Sequence, residues 1–184
     1  MANIANHTMP WEERIRCMNK AEDKFQMDYN YRNRDNGSWC YKYGIDNEKA
    51  EDKNLRNVDS LILQTPDFLC WDNTEKHFYF VEVKHCGYNY RLKKKHLDNY
   101  KRWNSVHPVN FWVKHLDFIA YFPLKRFDEL IVKNNYEMTT YAKINDDPTD
   151  SHKEMWVIPF KDLLAWKKRY AKDVKKRLKS LIES

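Results

Sequence analysis

Two short and mostly apolar runs near the middle of the chain, separated by a polar run, indicate a β-hairpin. Phe68 to Trp71 and Phe78 to Val83 are rich in aromatic and β-branched residues, and the polar run 72–76 between them supplies turn chemistry. Side chains on both faces of these strands are largely apolar, which is typical of strands in the middle of a sheet that is covered on both faces. The pattern therefore predicts a central sheet flanked by helices.

The register of this hairpin brings charged residues together. A four-residue loop at 73–76 puts Asp67 opposite Glu82, and the alternation of side chains along a strand puts Lys84 on the same face. Two like charges opposite each other in a β-pair repel unless a positive charge lies between them, and a divalent cation together with Lys84 would supply that charge. The alternative is that Asp67 opens a turn and that the other two charges belong to an ordinary solvated strand, but the flanking aromatic residues argue against it. The same register predicts two apolar pairs across the strands, Trp71 with Phe78 and Leu69 with Phe80.

A helical period precedes the hairpin, and it predicts an amphipathic helix from about Trp11 to about Gln26. Glu22 lies inside the apolar stripe of this helix, between Trp11 and Ile15 in angle, whereas Glu12 lies at the flank of the stripe. An acid on an inward-facing stripe either has a function or marks the point where the stripe ends in solvent. Both interpretations stay open, and Glu12 is the reserve candidate for a functional acid.

The other elements follow less distinct patterns. Residues 28–59 have little periodicity and are predicted as loop, apart from a short strand at Trp39 to Tyr43, and the polar run 46–57 is predicted as a surface loop. A helix is predicted from Tyr90 to Asn104. The remaining predictions are strands at Ser60 to Gln64, Val109 to Val113, Phe118 to Phe122 and Glu137 to Ile144, and a loop at Asn145 to Lys153.

Composition narrows the classes of protein that remain. A chain of 184 residues with 42% hydrophobic and 15% aromatic residues predicts one globular domain, with residues 1–9 flexible. The three glycines, at positions 37, 44 and 87, are too widely spaced to form a phosphate-binding loop or a dinucleotide fingerprint, so no nucleotide cofactor is expected. The four cysteines form no Cys-x-x-Cys pair, and no run of about 18 apolar residues occurs. We therefore expect reduced thiols, no membrane span and a soluble cytoplasmic protein.

Basic residues are concentrated at the C-terminus. Residues 160–184 carry nine Lys or Arg against three acids, a surplus that equals the +6 net charge of the whole chain. Apolar residues recur every three or four positions in this segment, which predicts a basic amphipathic helix. Its lysine row is either a solvated face or a surface that neutralises phosphates, and the second interpretation predicts binding that falls steeply with salt. The lysines most suited to phosphate contact are Lys168, Lys172 and Lys175.

Pro66-Asp67 followed by Glu82-Val83-Lys84 resembles the signature of the PD-(D/E)XK nuclease superfamily, in which Pro-Asp, a variable hairpin and Glu-x-Lys occur in this order. The resemblance implies a restriction-endonuclease-like α/β core with a mixed central sheet. It implies that Asp67 and Glu82 hold Mg²⁺, or Mn²⁺ in its stead, with the Val83 carbonyl as a further ligand. It also implies that Lys84 assists the attacking water.

The resemblance extends to two helices. An N-terminal helix of the superfamily often contributes a further acid to the metal site, and Glu22 is the candidate for that role. Polar residues of the helix after the hairpin often face the cleft, which makes Lys93, His96 and Tyr100 candidates for nucleic-acid contacts.

These observations favour a magnesium-dependent endonuclease that hydrolyses DNA, with a homodimer as one way for two sites to address two strands. A second hypothesis is a non-catalytic nucleic-acid-binding protein that keeps the fold. A third is a small-molecule or structural α/β protein in which the charged residues are incidental. Magnesium-dependent cleavage separates the first hypothesis from the other two.

Overall fold

A computed structural model describes residues 11–44, 61–140 and 154–164 of the chain. Helices and strands both occur in these ranges, and the last described residues, 160–164, are helical. The helices are α1 (Trp11–Asn33), α2 (Lys94–Asn104) and α3 (Leu124–Lys133), with a short 3-10 helix at Ile62–Gln64. The strands are β1 (Trp39–Lys42), β2 (Phe68–Asp72), β3 (His77–His85), β4 (Asn89–Lys93), β5 (Val109–His115), β6 (Phe118–Pro123), β7 (Met138–Thr140) and β8 (Glu154–Pro159).

Within the described ranges, five strands form a mixed sheet in the order β1-β2-β3-β5-β6, and β4, β8 and β7 form a smaller antiparallel sheet. Only β3 and β5 of the larger sheet run parallel, while its other neighbours are antiparallel. A parallel pair needs a long crossover, and here the crossover carries β4 and α2. This connection brings α2 back over β3, the strand that carries Glu82 and Lys84.

The predicted hairpin is confirmed, including its register. Trp71 pairs with Phe78 and Leu69 pairs with Phe80. The turn between the strands is stabilised by the Asp72 side chain, whose Oδ1 accepts hydrogen bonds from the backbone N–H groups of Thr74 and Glu75 at 2.9 and 3.1 Å. An aspartate that bonds the backbone two residues ahead is a common start for a tight turn.

Helices and the smaller sheet cover both faces of the larger sheet, as the apolar pattern predicts. On one face α1 packs its Phe25 ring against Phe68 with ring centroids 4.9 Å apart. On the other face α2 packs Tyr100 against Phe111 at 5.3 Å, and α3 packs Phe127 against the same ring at 5.6 Å. The predicted mixed α/β architecture, with a central sheet flanked by helices, is therefore confirmed.

Helix α1 is longer than the pattern predicts. The prediction ended the helix at Gln26 and assigned loop from residue 28, but α1 continues to Asn33. Tyr29 lies one turn beyond Phe25 and extends the packed stripe, because its hydroxyl donates a hydrogen bond to the Trp71 carbonyl at 3.1 Å.

Two other predicted elements are wrong in type. Residues 90–93 belong to β4 and only 94–104 are helical, because Tyr90 and Leu92 alternate into the core while β4 pairs with β8. The predicted strand at Ser60 to Gln64 is instead the 3-10 helix Ile62–Gln64, with Ser60 outside the described ranges. Gln64 N–H donates to the Leu61 carbonyl at 3.2 Å, so this backbone bonds locally and not to a sheet.

The other strand predictions hold where the structure describes them. Strands β1, β5 and β6 occupy the predicted positions, and β7 lies within the strand predicted at 137–144. None of the helices in the described ranges has the length and apolar character that a membrane span requires. Several predictions lie outside the described residues: the flexible residues 1–9, the loops at 46–57 and 145–153, and the basic helix beyond residue 164.

Candidate metal centre

Asp67 lies immediately before β2, and the two residues that follow β1 hold its backbone in place. Its carbonyl accepts hydrogen bonds from the N–H groups of Tyr43 and Gly44 at 2.8 and 3.1 Å. Gly44 suits this close approach, since a Cβ at that position would lie 3.1 Å from the Asp67 Cα and 3.3 Å from the Pro66 carbonyl oxygen, both tighter than ordinary contacts. Hydrogen bonds from these two residues thus fix the position of the Asp67 backbone.

Glu82 and Lys84 lie on one face of β3 and converge with Asp67. The ammonium of Lys84 contacts Oε1 of Glu82 and lies 3.8 Å from Oδ2 of Asp67. Glu82 is 2% exposed, whereas the side chains of Asp67 and Lys84 are 20% and 27% exposed. The structure thus brings together the three residues predicted from the hairpin, with one side of the cluster open to solvent.

The backbone of Val83 completes the link between the two strands. Its N–H donates to Oδ2 of Asp67 at 2.7 Å. The N–H and the carbonyl of one strand residue point to the same neighbouring strand, so the Val83 carbonyl is directed to the edge of β3 that faces Asp67. Two carboxylates and one carbonyl oxygen therefore border the same space.

Tyr100 of α2 fixes the orientation of Glu82. Its hydroxyl donates a hydrogen bond to Oε1 of Glu82, the oxygen that also contacts Lys84. Burial and the Glu82 carboxylate both raise the pKa of Tyr100 well above its usual value, so the phenol keeps its proton. Tyr100 thus contacts the acid pair, and the nucleic-acid contact expected of it stays a prediction.

The second oxygen of Glu82 provides a test of whether a metal fits. Among the described residues, the buried Oε2 has no hydrogen-bond partner. An unsatisfied buried oxygen costs about 1–3 kcal/mol, and more when it is charged, unless a cation or a donor satisfies it. Mg²⁺ prefers oxygen ligands and is usually held by one or two carboxylates, which is the donor set that Asp67, Glu82 and the Val83 carbonyl present.

Charge within the cluster is unequally distributed. Burial and the nearby Glu82 carboxylate raise the pKa of Asp67 to about 7, although Lys84 opposes the shift. Burial lowers the pKa of Lys84, but Asp67 and Glu82 more than offset that effect and leave the pKa above its usual value. Lys84 is therefore a charged ammonium, and with both acids ionised the cluster carries one net negative charge.

Glu22 lies close to this cluster but has a different partner. It is 8% exposed, and its Oε2 pairs with Lys42 Nζ at 3.0 Å. Burial and the Asp67 carboxylate raise its pKa, which indicates that the two acids are near each other. Across the described part of the chain, no three His, Cys, Asp or Glu side chains gather closely enough to hold a metal, so Glu22 is a neighbour of the acid pair. The reserve candidate Glu12 is exposed.

The remaining candidates lie outside the acid cluster. Lys93 and His96 line a groove of about 470 Å³ at the start of α2, together with Lys94 and Lys95. Burial, followed by the charge of Lys84, lowers the pKa of His96 to about 4, so the imidazole is neutral and lies near the cluster. The C-terminal candidates Lys168, Lys172 and Lys175 lie outside the described residues.

Three residues near the site are missed by sequence reasoning. Gly44 lies against the Asp67 backbone, and Lys42 pairs with Glu22 of α1. Neither contact has a signal in the sequence, because each depends on how β1 packs against a distant part of the chain. Tyr90 is buried near Lys84 and Glu82, and its hydroxyl has no partner among the residues that the structure describes. The alternation of Tyr90 with Leu92 indicates a strand, but Leu92 also falls on the same helical arc as Tyr100 and Trp103, and that arc led to the helix prediction.

Comparisons with known proteins assign no family to this chain. No protein-family model and no curated protein matches it. One solved structure that does match is Hjc, a Holliday junction resolvase from the archaeal hyperthermophile Archaeoglobus fulgidus, with 12% identity, a TM-score of 0.45 and coverage of 78% of this chain and 92% of that chain. Another is D212, a nuclease from a fusselovirus, with 9% identity, a TM-score of 0.49 and coverage of 84% and 87%. At these values neither likeness transfers a function to this chain.

Proposed function

We propose that the protein is a magnesium-dependent endonuclease that hydrolyses phosphodiester bonds in DNA. The observation that carries this proposal is the convergence of Asp67, Glu82 and Lys84 on one covered face of the β2-β3 hairpin. A structural ion pair needs one acid for one base, whereas this cluster places two acids around one ammonium and leaves a carboxylate oxygen without a described partner. Such an arrangement suits a site that binds a second cation.

In this proposal Asp67, Glu82 and the Val83 carbonyl hold Mg²⁺, and Mn²⁺ is an alternative ion. Bound Mg²⁺ would supply positive charge against the phosphate oxygens and the leaving oxygen. The restriction-endonuclease-like resemblance of Pro66-Asp67 and Glu82-Val83-Lys84 supports these assignments. Glu22 of α1 is proposed to add negative charge that favours a bound cation, while its own carboxylate pairs with Lys42.

Lys84 is proposed to orient the attacking water and to offset developing negative charge. Its ammonium can donate hydrogen bonds to a water oxygen and to a phosphate oxygen. The two acids keep its pKa above the usual value, so proton abstraction by Lys84 would have to work against both carboxylates. Positioning and charge stabilisation therefore account for this residue better than a role as general base.

DNA is proposed to lie across the open side of the cluster and along the groove at the start of α2. Lys93, Lys95 and His96 border that groove, which Asp98 and Glu154 also line, and they would contact phosphates without reading sequence. Lys168, Lys172 and Lys175 are proposed to add phosphate contacts from the C-terminal segment. Binding would then weaken steeply with salt. A homodimer would bring a second cluster to the second strand.

One contact favours a second candidate function. Lys84 already contacts Glu82, so the cluster is partly neutralised by the chain itself. A non-catalytic nucleic-acid-binding protein could retain this pair for stability alone. It would bind DNA in a salt-sensitive manner and would not nick DNA on addition of magnesium.

A substrate panel separates the two functions. Supercoiled plasmid, linear duplex, single strand and a branched junction are each incubated with magnesium or with chelator, using the wild type and Asp67→Ala. If the protein is an endonuclease, the wild type should cleave at least one substrate with magnesium. No cleavage should occur with chelator or with Asp67→Ala. DNA binding without cleavage on every substrate would instead favour the non-catalytic function.

A further inference from the structure

The face of the sheet that carries the acids continues as a row of aromatic rings. Side chains alternate along a strand, so the residues two and four positions from Asp67 and Glu82 share their face. On all three strands at this end of the sheet those positions are mostly aromatic. We call these residues the aromatic strip: Trp39, Tyr41, Tyr43, Trp71, Phe78 and Phe80.

The rings of the aromatic strip contact one another across the strands. The Phe78 ring centroid lies 4.7 Å from Trp71 and 5.9 Å from Trp39. Tyr43 packs against Phe80 at 5.8 Å. Trp103 of α2 packs edge-on against Phe80 at 5.3 Å and closes one side of the strip. The rings thus form two groups, and His107 joins them, with its ring centroid 5.8 Å from Phe78 and 5.9 Å from Phe80. Phe80 is buried beneath this layer, so the accessible rings are those at its outer edge.

Its outer edge is exposed to solvent. Trp39, Tyr41 and Tyr43 are 42%, 68% and 43% exposed. They lie on β1, the outermost strand of the larger sheet within the described ranges, and on the residue that follows it. Single exposed apolar residues are ordinary, but three neighbouring exposed rings on an edge strand form a patch of the kind that marks a binding surface.

The strip begins at the acid pair. The Tyr43 N–H bonds the Asp67 carbonyl at 2.8 Å, so the last ring of the edge strand adjoins the first acid. From Asp67 to Trp71 the strand covers about 13 Å, at about 3.3 Å per residue. A short run of nucleotides could therefore lie on the strip while the next phosphate lies at the cluster.

We propose that the aromatic strip binds unpaired bases, so that the substrate is a nucleic acid with a single-stranded segment beside the scissile phosphate. This inference rests on the proposed nuclease function for its geometry. In a duplex the bases stack on each other, and their faces cannot reach protein rings. Unpaired bases offer free π-faces, and stacking on aromatic side chains is the usual way in which single strands are held without sequence preference.

The test measures binding without metal. A fluorescent oligothymidine and a duplex of equal length are titrated in chelator with the wild type, Trp39→Ala and Tyr41→Ala, after circular dichroism has verified that each variant is folded. The matched control is Tyr31→Ala, since Tyr31 is 71% exposed and lies on α1. Each strip variant is expected to raise the Kd for the single strand by about five- to a hundredfold, while the control and the duplex Kd stay unchanged.

Salt dependence adds a second readout. Loss of stacking lowers affinity at every salt concentration and leaves the slope of log K against log salt unchanged, whereas loss of a phosphate contact reduces the slope. Unchanged single-strand affinity in both strip variants would overturn the proposal. So would an equal loss in Tyr31→Ala.

Two further outcomes separate this inference from its alternatives. If sedimentation shows a wild-type dimer that Tyr41→Ala converts to monomer without a change in single-strand Kd, the strip is an interface between copies and the proposal fails. If the strip variants lose single-strand binding but no substrate is cut with magnesium, the strip stands and the nuclease proposal fails. If the wild type cuts and the strip variants bind single strands normally, only the inference about the strip fails.

Discussion

The hydroxyl of Tyr100 donates a hydrogen bond to Oε1 of Glu82 in the interior of the protein. This bond joins α2 to β3 and holds one oxygen of a buried carboxylate, while the other oxygen lacks a partner among the described residues. Substitution of a group that orients a metal ligand in this way typically weakens metal binding or activity. The Tyr100 hydroxyl is therefore expected to contribute to magnesium binding without touching the ion.

The variant Tyr100→Phe should weaken magnesium binding by about 10- to 100-fold, because Glu82 loses the donor that fixes its orientation. Isothermal titration with Mg²⁺ measures the change. Tyr90→Phe is the matched control, since Tyr90 is equally buried but its hydroxyl has no partner in the described structure. An equal loss of affinity in both variants would show that the Tyr100 to Glu82 bond has no special role.

Lys84→Met should abolish cleavage while leaving DNA binding nearly intact. In chelator the variant should also lose about 1–3 kcal/mol of unfolding free energy, less than a fully buried pair would lose, because the Lys84 side chain is 27% exposed. Magnesium should restore more stability to the variant than it adds to the wild type, since the ion replaces the missing positive charge. Lys101→Met, which removes an exposed lysine paired with Asp128, is the control. Retained turnover in folded Lys84→Met would count against the assigned role.

The pKa of Asp67 predicts a pH dependence of stability in the metal-free protein. Its pKa is about 7 in the folded state against about 3.8 for an ordinary aspartate. The folded protein therefore binds this proton more tightly than the unfolded chain does. Protonation of Asp67 thus adds to the free energy of unfolding: the gain is complete below about pH 4 and is lost as the pH rises through about 7. Urea unfolding in chelator should show the wild type losing stability relative to Asp67→Asn between those values. A difference that does not change with pH would contradict this account of Asp67.

Gly44→Ala should reduce magnesium affinity through the backbone of Asp67. The new Cβ would lie 3.1 Å from the Asp67 Cα, and overpacking of this kind costs about 1–3 kcal/mol. If the effect passes through Asp67, Gly44→Ala should have no further effect on metal binding in a protein that already carries Asp67→Asn. Additive losses in the double variant would show that Gly44 acts by another route.

The hairpin could be predicted from the sequence because its signals are local. Period-two alternation, the turn residues after Trp71 and the strand length together determine which residues face each other, and the convergence of Asp67 with Glu82 and Lys84 follows from that register. The apolar character of both faces in turn predicted that the sheet would be covered on each side.

Local signals could not predict the contacts that complete the site. Leu92 fits the helical arc of Tyr100 and Trp103 as well as a strand, and the pairing of β4 with β8 decides between them. The contacts of Tyr100 with Glu82 and of Gly44 with Asp67 join residues that lie 18 and 23 positions apart, so they depend on how separate elements pack. The aromatic strip likewise forms only when β1 is placed beside β2.

The most direct test of the central claim is a crystal structure of the protein soaked in Mn²⁺, recorded at a wavelength where manganese scatters anomalously. The account predicts an anomalous peak bordered by carboxylate oxygens of Asp67 and Glu82 and by the Val83 carbonyl, at about 2.0–2.2 Å from each, and no such peak in Asp67→Ala. A peak elsewhere, or none at a concentration that supports cleavage, would contradict it.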